Sequence, residues 1–255
     1  MAETLIIILI TVLGLIFGSF YACMGYRIPN KIKVSKTRSF CPKCKKQLKW
    51  YMNIPVLSFI FLKGKCAYCK KPINFIYPLI EIASASLFLC NYILFGFTQN
   101  FWISTILASA LMVTIVSDFL YYYISDRVLL LSIVSLIITF LVFNDYNIVI
   151  SHILSAAITF LFMLGIKYLG NKIFKKESLG DGDIKLFGVI GLALGLINSI
   201  ISLFIGSLLG LIFSIIIIKK NKEGIIPFGP FLLIGALITI YFSEFITSFI
   251  NNLII

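Results

Sequence analysis

Apolar stretches of about twenty residues recur along this chain of 255 residues, and they limit the folds that it can adopt. A helix of that length crosses a hydrocarbon core of about 30 Å, because an α-helix rises about 1.5 Å per residue. Of all residues, 60% are hydrophobic and only 13% are charged. The sequence therefore predicts an all-α polytopic membrane protein, with no separate soluble domain of ordinary size.

Eight transmembrane helices account for the apolar stretches. We predict them at residues 4–25, 73–96, 102–124, 127–144, 148–167, 184–197, 199–218 and 228–250. The chain then divides into a first transmembrane helix at 1–25, a polar insert at 26–72 and a transmembrane helix bundle at 73–255.

Basic residues assign the sides of this arrangement. If eight spans alternate, all 22 Lys and Arg residues fall on one side, 13 of them between Arg27 and Lys71. The opposite connections, at 97–101, at 145–147 and at Asn198, contain none. The positive-inside rule identifies the basic side as the cytoplasm, so we expect both termini outside and the insert inside. We attribute the net charge of +12 to contact with membrane lipids and not with nucleic acid.

The insert carries two Cys-x-x-Cys motifs that are typical of a metal site. Cys41-Pro42-Lys43-Cys44 is followed after 21 residues by Cys66-Ala67-Tyr68-Cys69. Four thiolates on tight turns can surround Zn²⁺ tetrahedrally, and all four positions would then be used as ligands. Two disulfides are the alternative, which a reducing cytoplasm disfavours. We therefore predict a structural zinc site in a small cytoplasmic insert.

Two aspartates are expected to meet at the cytoplasmic boundary. Asp118 lies 16 positions beyond Trp102, or about 24 Å along a span that runs inward. Asp183 opens the sixth span, which begins inside, after Gly180, Asp181 and Gly182. Ionisable groups within spans are costly and commonly functional. The alternative is structural: Asp183 caps its helix and Asp118 pairs with a neighbour.

Two facing carboxylates cannot both ionise easily, so one keeps a proton while the other acts as a base. An aspartic protease uses this difference to activate water and polarise the scissile carbonyl. Gly180 and Gly182 would leave room for a substrate backbone and permit positive φ. Asp181 would line the entrance, and Lys185 would hold one carboxylate ionised or extend to the membrane surface.

Glu81 lies about eight residues into the second predicted span, where a carboxylate needs an explanation. We expect it to orient one of the aspartates or to pair with a basic group of the insert. Its role stays open at this point.

The ordered set of motifs resembles the bacterial type IV prepilin peptidase family, also called leader peptidase and N-methyltransferase. The resemblance covers nearly the whole chain. Its motifs, besides the four cysteines, are Gly18-Ser19-Phe20, Tyr26-Arg27-Ile28-Pro29, Asn53-Ile54-Pro55, Tyr77-Pro78 with Glu81, Asp118 with Asp126, the Gly180 to Leu186 segment and Ile226-Pro227-Phe228-Gly229-Pro230-Phe231.

The resemblance implies that Asp118 and Asp183 are catalytic and that Gly180, Asp181, Gly182, Lys185 and Glu81 support them. It also implies a bacterial inner-membrane enzyme that removes a short basic leader from pilin-like precursors. Many members then methylate the new amino terminus with S-adenosylmethionine, an activity associated with the cysteine-bearing insert. Two positions differ from the family pattern: Ala22 stands where Asn is common, and Ser125 where Pro is usual.

Two other classes of function remain as alternatives. Carboxylates in broken helices also mark the ion pathways of proton-coupled or ion-coupled transporters, although those sites usually lie near the midplane. A zinc-stabilised membrane scaffold of a pilus or secretion assembly would need no chemistry of its own.

Overall fold

The computed structural model describes residues 1–34, 38–218, 226–246 and 248. This part of the chain contains nine α-helices: α1 Ala2–Arg27, α2 Leu57–Phe61, α3 Ile76–Phe95, α4 Gln99–Tyr121, α5 Asp126–Phe143, α6 Tyr146–Phe174, α7 Asp181–Leu194, α8 Leu196–Ile218 and α9 Gly229–Tyr241. A 3₁₀ turn at Trp50–Asn53 precedes α2. Four of the basic residues counted above, Lys36, Lys219, Lys220 and Lys222, lie outside the described residues.

The predicted all-α membrane fold is confirmed. Six of the described helices are long and apolar enough to cross a membrane, namely α1, α3, α4, α5, α6 and α8. The sixth and eighth predicted spans correspond to α7 and α9, which have 14 and 13 residues. At about 1.5 Å per residue these two helices reach about 20 Å, less than the hydrocarbon thickness.

Four predicted helix ends need correction. The sixth span was expected to end at residue 197 with a turn at Asn198, but α7 ends at Leu194, Gly195 makes the turn with φ 75°, and Asn198 lies in α8. The eighth span was expected to end at residue 250, but α9 ends at Tyr241.

The third span was expected to run to residue 124, but α4 ends at Tyr121 because Tyr122 takes a left-handed conformation, with φ 50° and ψ 44°. The fifth span was expected to end at residue 167, but α6 continues to Phe174. With 29 residues, α6 is about 44 Å long and extends beyond a bilayer core. Lys167 and Lys172 therefore belong to this helix and not to a loop.

Helices α1 and α3 form a closely packed pair that the insert connects at one end. A Cβ atom on Gly14 would lie 2.6 Å from Cα of Ala85, and one on Gly18 would lie 2.7 Å from Cα of Glu81. The two glycines are four residues apart, a spacing that lets helix backbones approach in membranes. The close approach fixes Glu81 against α1.

Helix α4 is the central element of the bundle. It packs against α1, α3, α5 and α9, and it is the most buried of the candidate spans. Helix α7 packs mainly on α6 and also contacts α5, α8 and α9. This arrangement brings the end of α4 close to the first turns of α7 and α9.

Candidate active site

Asp118 occupies the last turn of α4 and is buried, with 6% of its surface exposed. The backbone N–H of Gly229, the first residue of α9, is within hydrogen-bonding range of its carboxylate. The Oδ2 atom is buried and has no hydrogen-bond partner among the described residues. A Cβ atom at Gly229 would lie only 3.2 Å from this oxygen, so glycine keeps the carboxylate accessible from that side.

Asp183 is the third residue of α7, and Gly180 is the N-cap residue of that helix. The Oδ1 atom of Asp183 is also buried without a hydrogen-bond partner in the described part of the chain. A Cβ atom on Gly180 would lie 3.1 Å from its Oδ2 atom. Each aspartate thus has a glycine beside its carboxylate.

The expected positive φ in the glycine pair is wrong. Gly180 has φ −69° and ψ 143°, and Gly182 lies inside α7. What these positions require is space, because a Cβ atom on Gly182 would lie 2.9 Å from Cβ of Ile124. Gly180 is extended and Gly182 is helical, and any residue can adopt either conformation. The requirement for glycine at position 182 is therefore steric.

Ile124, in the link between α4 and α5, holds the site together. It lies against Gly182 of α7, and a Cβ atom on Gly229 of α9 would come within 2.8 Å of its Cδ1 atom. Through Gly182 and Gly229, Ile124 therefore links the helix start that carries Asp183 to the helix start that adjoins Asp118. The sequence analysis assigned no role to Ile124 or Gly229. For Gly229, the Pro-Phe-Gly-Pro motif at 227–230 was the available signal.

The charged residues around the pair bond to one another. Lys185 donates a hydrogen bond to Asp126 Oδ1 at 2.7 Å, and neither catalytic candidate is its partner. Lys167 donates to Asp181 Oδ1 at 2.6 Å and to Glu177 Oε1 at 2.9 Å. The side chain of Asp181 is 76% exposed, so it lies at the surface beside the buried pair.

Glu81 is bonded to the insert through a backbone group. Its Oε2 atom accepts a hydrogen bond from the Val56 N–H at 2.7 Å, and Ser19 of α1 provides a second hydrogen bond. Val56 has φ 59° and ψ −50°, and Leu57 N–H donates to the Pro55 carbonyl at 2.5 Å. This is a strained γ-turn, and its central residue is β-branched. In these hydrogen bonds, the partner of Glu81 is neither one of the two aspartates nor a basic side chain of the insert.

A cavity of about 210 Å³ lies between the insert and the helices α1 and α3. Ser19 and Tyr26 of α1 line it together with Tyr77 and Glu81 of α3, and Phe40 and Asn53 of the insert complete the mixed wall. Aromatic faces and a few polar groups are typical of a small-molecule site.

The four insert cysteines form one cluster, and their ligand atoms all lie within 4.8 Å of one another. Cys41 Sγ and Cys69 Sγ are 3.9 Å apart. Tetrahedral coordination with metal–sulfur bonds of about 2.3 Å would place sulfur atoms about 3.8 Å apart. The donor set and its spacing therefore fit a single metal ion.

The two Cys-x-x-Cys turns have the same backbone hydrogen bonds. In the first turn, Cys41 N–H donates to the Lys46 carbonyl and Lys45 N–H donates to the Cys41 carbonyl. In the second, 25 positions later, Cys66 N–H donates to the Lys71 carbonyl and Lys70 N–H donates to the Cys66 carbonyl. Lys45 and Lys70 both take positive φ, 60° and 58°. The chain thus turns in the same way at both ends of the cluster.

Crowding separates the thiol pKa values. Backbone N–H groups of Cys69 and Tyr68 lower the pKa of Cys66 to about 7. For Cys44, a backbone N–H of Lys46 acts in the same direction, but desolvation and the neighbouring thiols raise its pKa to about 11. Four thiolates in such a cluster require a compensating cation, as a bound metal provides.

Comparison with known proteins agrees with this organisation. The model of the bacterial peptidase A24 N-terminal domain matches residues 12–95, and the model of the type IV leader peptidase family matches residues 105–215. The first range contains the insert and all four of its cysteines, and the second contains both aspartates.

Curated relatives match over nearly the full length. A prepilin leader peptidase/N-methyltransferase of Bacillus subtilis is 32% identical over 241 residues, covering 93% of this chain and 95% of the relative. One of Legionella pneumophila is 32% identical over 224 residues, covering 86% and 77%. A type 4 prepilin-like proteins leader peptide-processing enzyme of Escherichia coli is 28% identical over 252 residues, covering 92% and 93%. No solved structure matches the chain.

The helical bundle and these matches define a multi-pass membrane protein of the protease class. The chain belongs to the type IV prepilin leader peptidase family. Family membership favours a peptidase over a transporter or a scaffold.

Proposed function

We propose that this protein removes the leader peptide from pilin-like precursors, with Asp118 and Asp183 as its catalytic pair. The observation that carries the proposal is the pair of buried carboxylate oxygens, Asp118 Oδ2 and Asp183 Oδ1, that have no partner among the described residues. Unsatisfied buried polar atoms are uncommon and call for a functional explanation. Here they supply the acceptor and donor positions that hydrolysis needs.

The chemistry follows from one proton shared by two acids. The ionised carboxylate removes a proton from water as the water oxygen attacks the scissile carbonyl carbon, and the protonated carboxyl donates a hydrogen bond to the carbonyl oxygen. The tetrahedral intermediate then breaks its carbon–nitrogen bond as the amine nitrogen takes up a proton from the pair. The enzyme returns to its starting state with one proton on the two carboxyls.

Substrate position follows from the location of the pair at helix ends. Asp118 lies in the last turn of α4 and Asp183 in the first turn of α7, so a peptide bond at the membrane boundary can reach both. We propose that this boundary is the cytoplasmic one of a bacterial inner membrane, with both termini outside. The reason is that the basic insert joins the end of α1 to the start of α3, on the side where α4 ends and α7 begins.

The cysteine cluster is proposed to bind one structural Zn²⁺. The ligands would be Cys41, Cys44, Cys66 and Cys69. In tetrahedral coordination they would take all four positions and leave none for water or substrate. The ion would supply folding energy to a segment with little apolar core and would take no part in hydrolysis.

A second activity, N-methylation of the new amino terminus, is supported by the cavity beside the insert. Relatives carry the name N-methyltransferase, and the cavity lies in the half of the chain that lacks both aspartates. S-adenosylmethionine would supply an electrophilic methyl group to the neutral amine nitrogen. Tyr77 and Phe40 would provide aromatic faces for the donor, and Glu81 a carboxylate near the positively charged groups of either reactant.

One assay tests both activities. The detergent-solubilised chain is incubated with a pilin-like precursor and S-adenosylmethionine, and the product is analysed by mass spectrometry. We expect loss of the leader and, on the same product, the added mass of one methyl group. Intact precursor would contradict the peptidase proposal, whereas cleaved but unmethylated product would contradict the methylation proposal alone.

A further inference from the structure

The five most exposed large apolar side chains of the polar insert lie between residues 50 and 61. Trp50 is 77% exposed, Phe61 79% and Ile60 61%, with Leu57 and Tyr51 about half exposed. We refer to these five residues as the 50–61 surface. Aromatic and aliphatic side chains grouped in this way on a polar module mark a contact surface.

The five side chains come from two short helical elements that pack against each other. Trp50 and Tyr51 are in ring contact, with centroids 5.9 Å apart, in the 3₁₀ turn that packs beside α2. Leu57, Ile60 and Phe61 follow the i, i+3, i+4 spacing, which places them on one side of α2. Phe59, from another side of α2, packs on Phe75 with ring centroids 6.0 Å apart.

Contacts with α3 place this surface at the level of the membrane. Helix α3 has 20 residues and spans about 30 Å, so its first residue, Ile76, lies near a hydrocarbon boundary. Glu81 comes five residues later, about 7 Å deeper along the helix. Because Glu81 Oε2 accepts the Val56 N–H at 2.7 Å, the start of α2 lies at the depth of Ile76 or deeper in the membrane. The exposed face of α2 therefore lies near the level of the membrane surface.

Charge identifies the kind of lipid. No Asp or Glu occurs between Glu3 and Glu81, whereas 13 Lys and Arg residues lie between Arg27 and Lys71. Lys49 and Lys63 flank the 50–61 surface directly, and both are exposed. Basic groups at a membrane surface attract anionic head groups.

We propose that the insert docks on an anionic lipid surface, with the 50–61 surface immersed at the head-group and acyl boundary and Lys49 and Lys63 bound to head groups. Amphipathic elements that lie in the interface use this division between an apolar face and basic flanks. The docking holds the insert and its cavity against the membrane beside α1 and α3. It does not depend on the proposed catalytic chemistry.

Tryptophan fluorescence tests the docking directly, because the chain has two tryptophans. The Trp102→Phe variant leaves Trp50 as the reporter, and the matched Trp50→Phe variant leaves Trp102 of α4. Each full-length variant is placed as one chain per nanodisc, in phosphatidylcholine with and without phosphatidylglycerol. Quenching is measured with neutral acrylamide from water and with lipids brominated near the head group.

We expect Trp50 to emit at shorter wavelength than free tryptophan, to be quenched by the brominated lipids and to be shielded from acrylamide, with stronger shielding when phosphatidylglycerol is present. Adding Ile60→Ser and Phe61→Ser should reduce the lipid quenching of Trp50. Tyr68→Ser, which removes an exposed aromatic ring elsewhere on the insert, should leave it unchanged.

Three results would overturn the proposal. Trp50 could be open to acrylamide and unquenched by brominated lipid, which would place the insert in water. Shielding without lipid quenching in a single-chain disc would mean that protein covers the surface. Shielding that arises only in discs with two chains, or only after a precursor is added, would identify a second copy or the substrate as the partner.

Discussion

Asp118 and Asp183 differ from the other described acids in one respect: each keeps a buried oxygen without a partner. Asn has the same size but cannot exchange the proton that hydrolysis requires. We therefore expect Asp118→Asn and Asp183→Asn each to reduce leader cleavage at least about 100-fold. The measurement is the rate of precursor cleavage by purified variants of normal helical content.

A matched control is available at the start of α6. Asp145 is the N-cap residue there, and Asn caps helices as well as Asp does. Asp145→Asn should therefore cleave at the normal rate. Substantial cleavage by either active-site variant would remove that aspartate from the mechanism.

Gly182 is predicted to matter through its contact with Ile124. A methyl group at this position would lie 2.9 Å from Cβ of Ile124, so the link between α4 and α5 must shift. We expect Gly182→Ala to lower the cleavage rate because the shift changes the separation of the two carboxyls. Gly165→Ala is the control, since no atom lies within 4 Å of the added methyl. Equal rates for the two variants would show that the contact does not set the geometry.

Glu81 is predicted to hold the strained turn at Val56. Glu81→Ala removes the acceptor of the Val56 N–H, and the loss of this partly buried hydrogen bond should cost about 1 kcal/mol. Backbone amides of residues 54–62 should then exchange hydrogen faster. Glu81→Gln retains a carbonyl oxygen and should remain close to the parent protein. Unchanged exchange in the Ala variant would mean that the turn is stable by itself.

At the scale of elements, the proposed metal site of the insert gives a direct prediction. If Cys41, Cys44, Cys66 and Cys69 share one Zn²⁺, the purified protein should contain about one zinc per chain, and Cys→Ser at any of the four should lower that content. Because the cysteine thiols must lose their protons to bind zinc, the zinc content should also fall as the pH is lowered. Elemental analysis of protein purified without added metal measures the number of zinc ions per chain.

Two further cysteines provide the control for this experiment. Cys23 of α1 and Cys90 of α3 lie outside the cluster, so Cys→Ser at either should leave the zinc content unchanged. A metal-free protein with a mapped disulfide between insert cysteines would contradict the zinc assignment.

Local patterns predicted the helices and the cysteine cluster well. Every predicted span corresponds to a helix, because a run of apolar residues is a property of one segment, and the two Cys-x-x-Cys motifs meet as their spacing indicated. The end of α4 was missed because it depends on the left-handed Tyr122. A non-glycine residue seldom adopts that conformation, so the sequence gives little warning.

Partners distant in sequence could not be predicted. Lys185 bonds to Asp126, which lies 59 positions earlier, and Glu81 bonds to a backbone amide that any residue could supply. The contact of Ile124 with Gly182 and Gly229 likewise exists only after α4, α7 and α9 have packed. Such tertiary contacts carry no local sequence signal.

For the whole molecule, the proposed active site at the helix ends would fix which peptide bond is cut. Moving the junction of a precursor about two turns, or about 11 Å, into its hydrophobic helix should nearly abolish cleavage, because the bond no longer reaches the ends of α4 and α7. The leader of such a precursor is basic, as is this membrane face, so anionic lipid would attract both partners. Mass spectrometry of the shifted precursor measures the effect.

The control precursor carries the same added residues at the far end of its hydrophobic helix, which leaves the junction at the boundary. It should be cleaved normally. Efficient cleavage of the shifted precursor would place the aspartates deeper in the membrane than the helix ends indicate.

The close pairing of α1 with α3 has a consequence for biosynthesis. The contacts of Gly14 with Ala85 and of Gly18 with Glu81 involve no residue beyond α3, and all four insert cysteines precede that helix. Chains are made from the amino terminus and their units fold in that order. The hairpin can therefore enter the membrane, and its cysteines can meet, before Asp183 has been translated, so that the carboxyl-terminal half matures against a completed amino-terminal half.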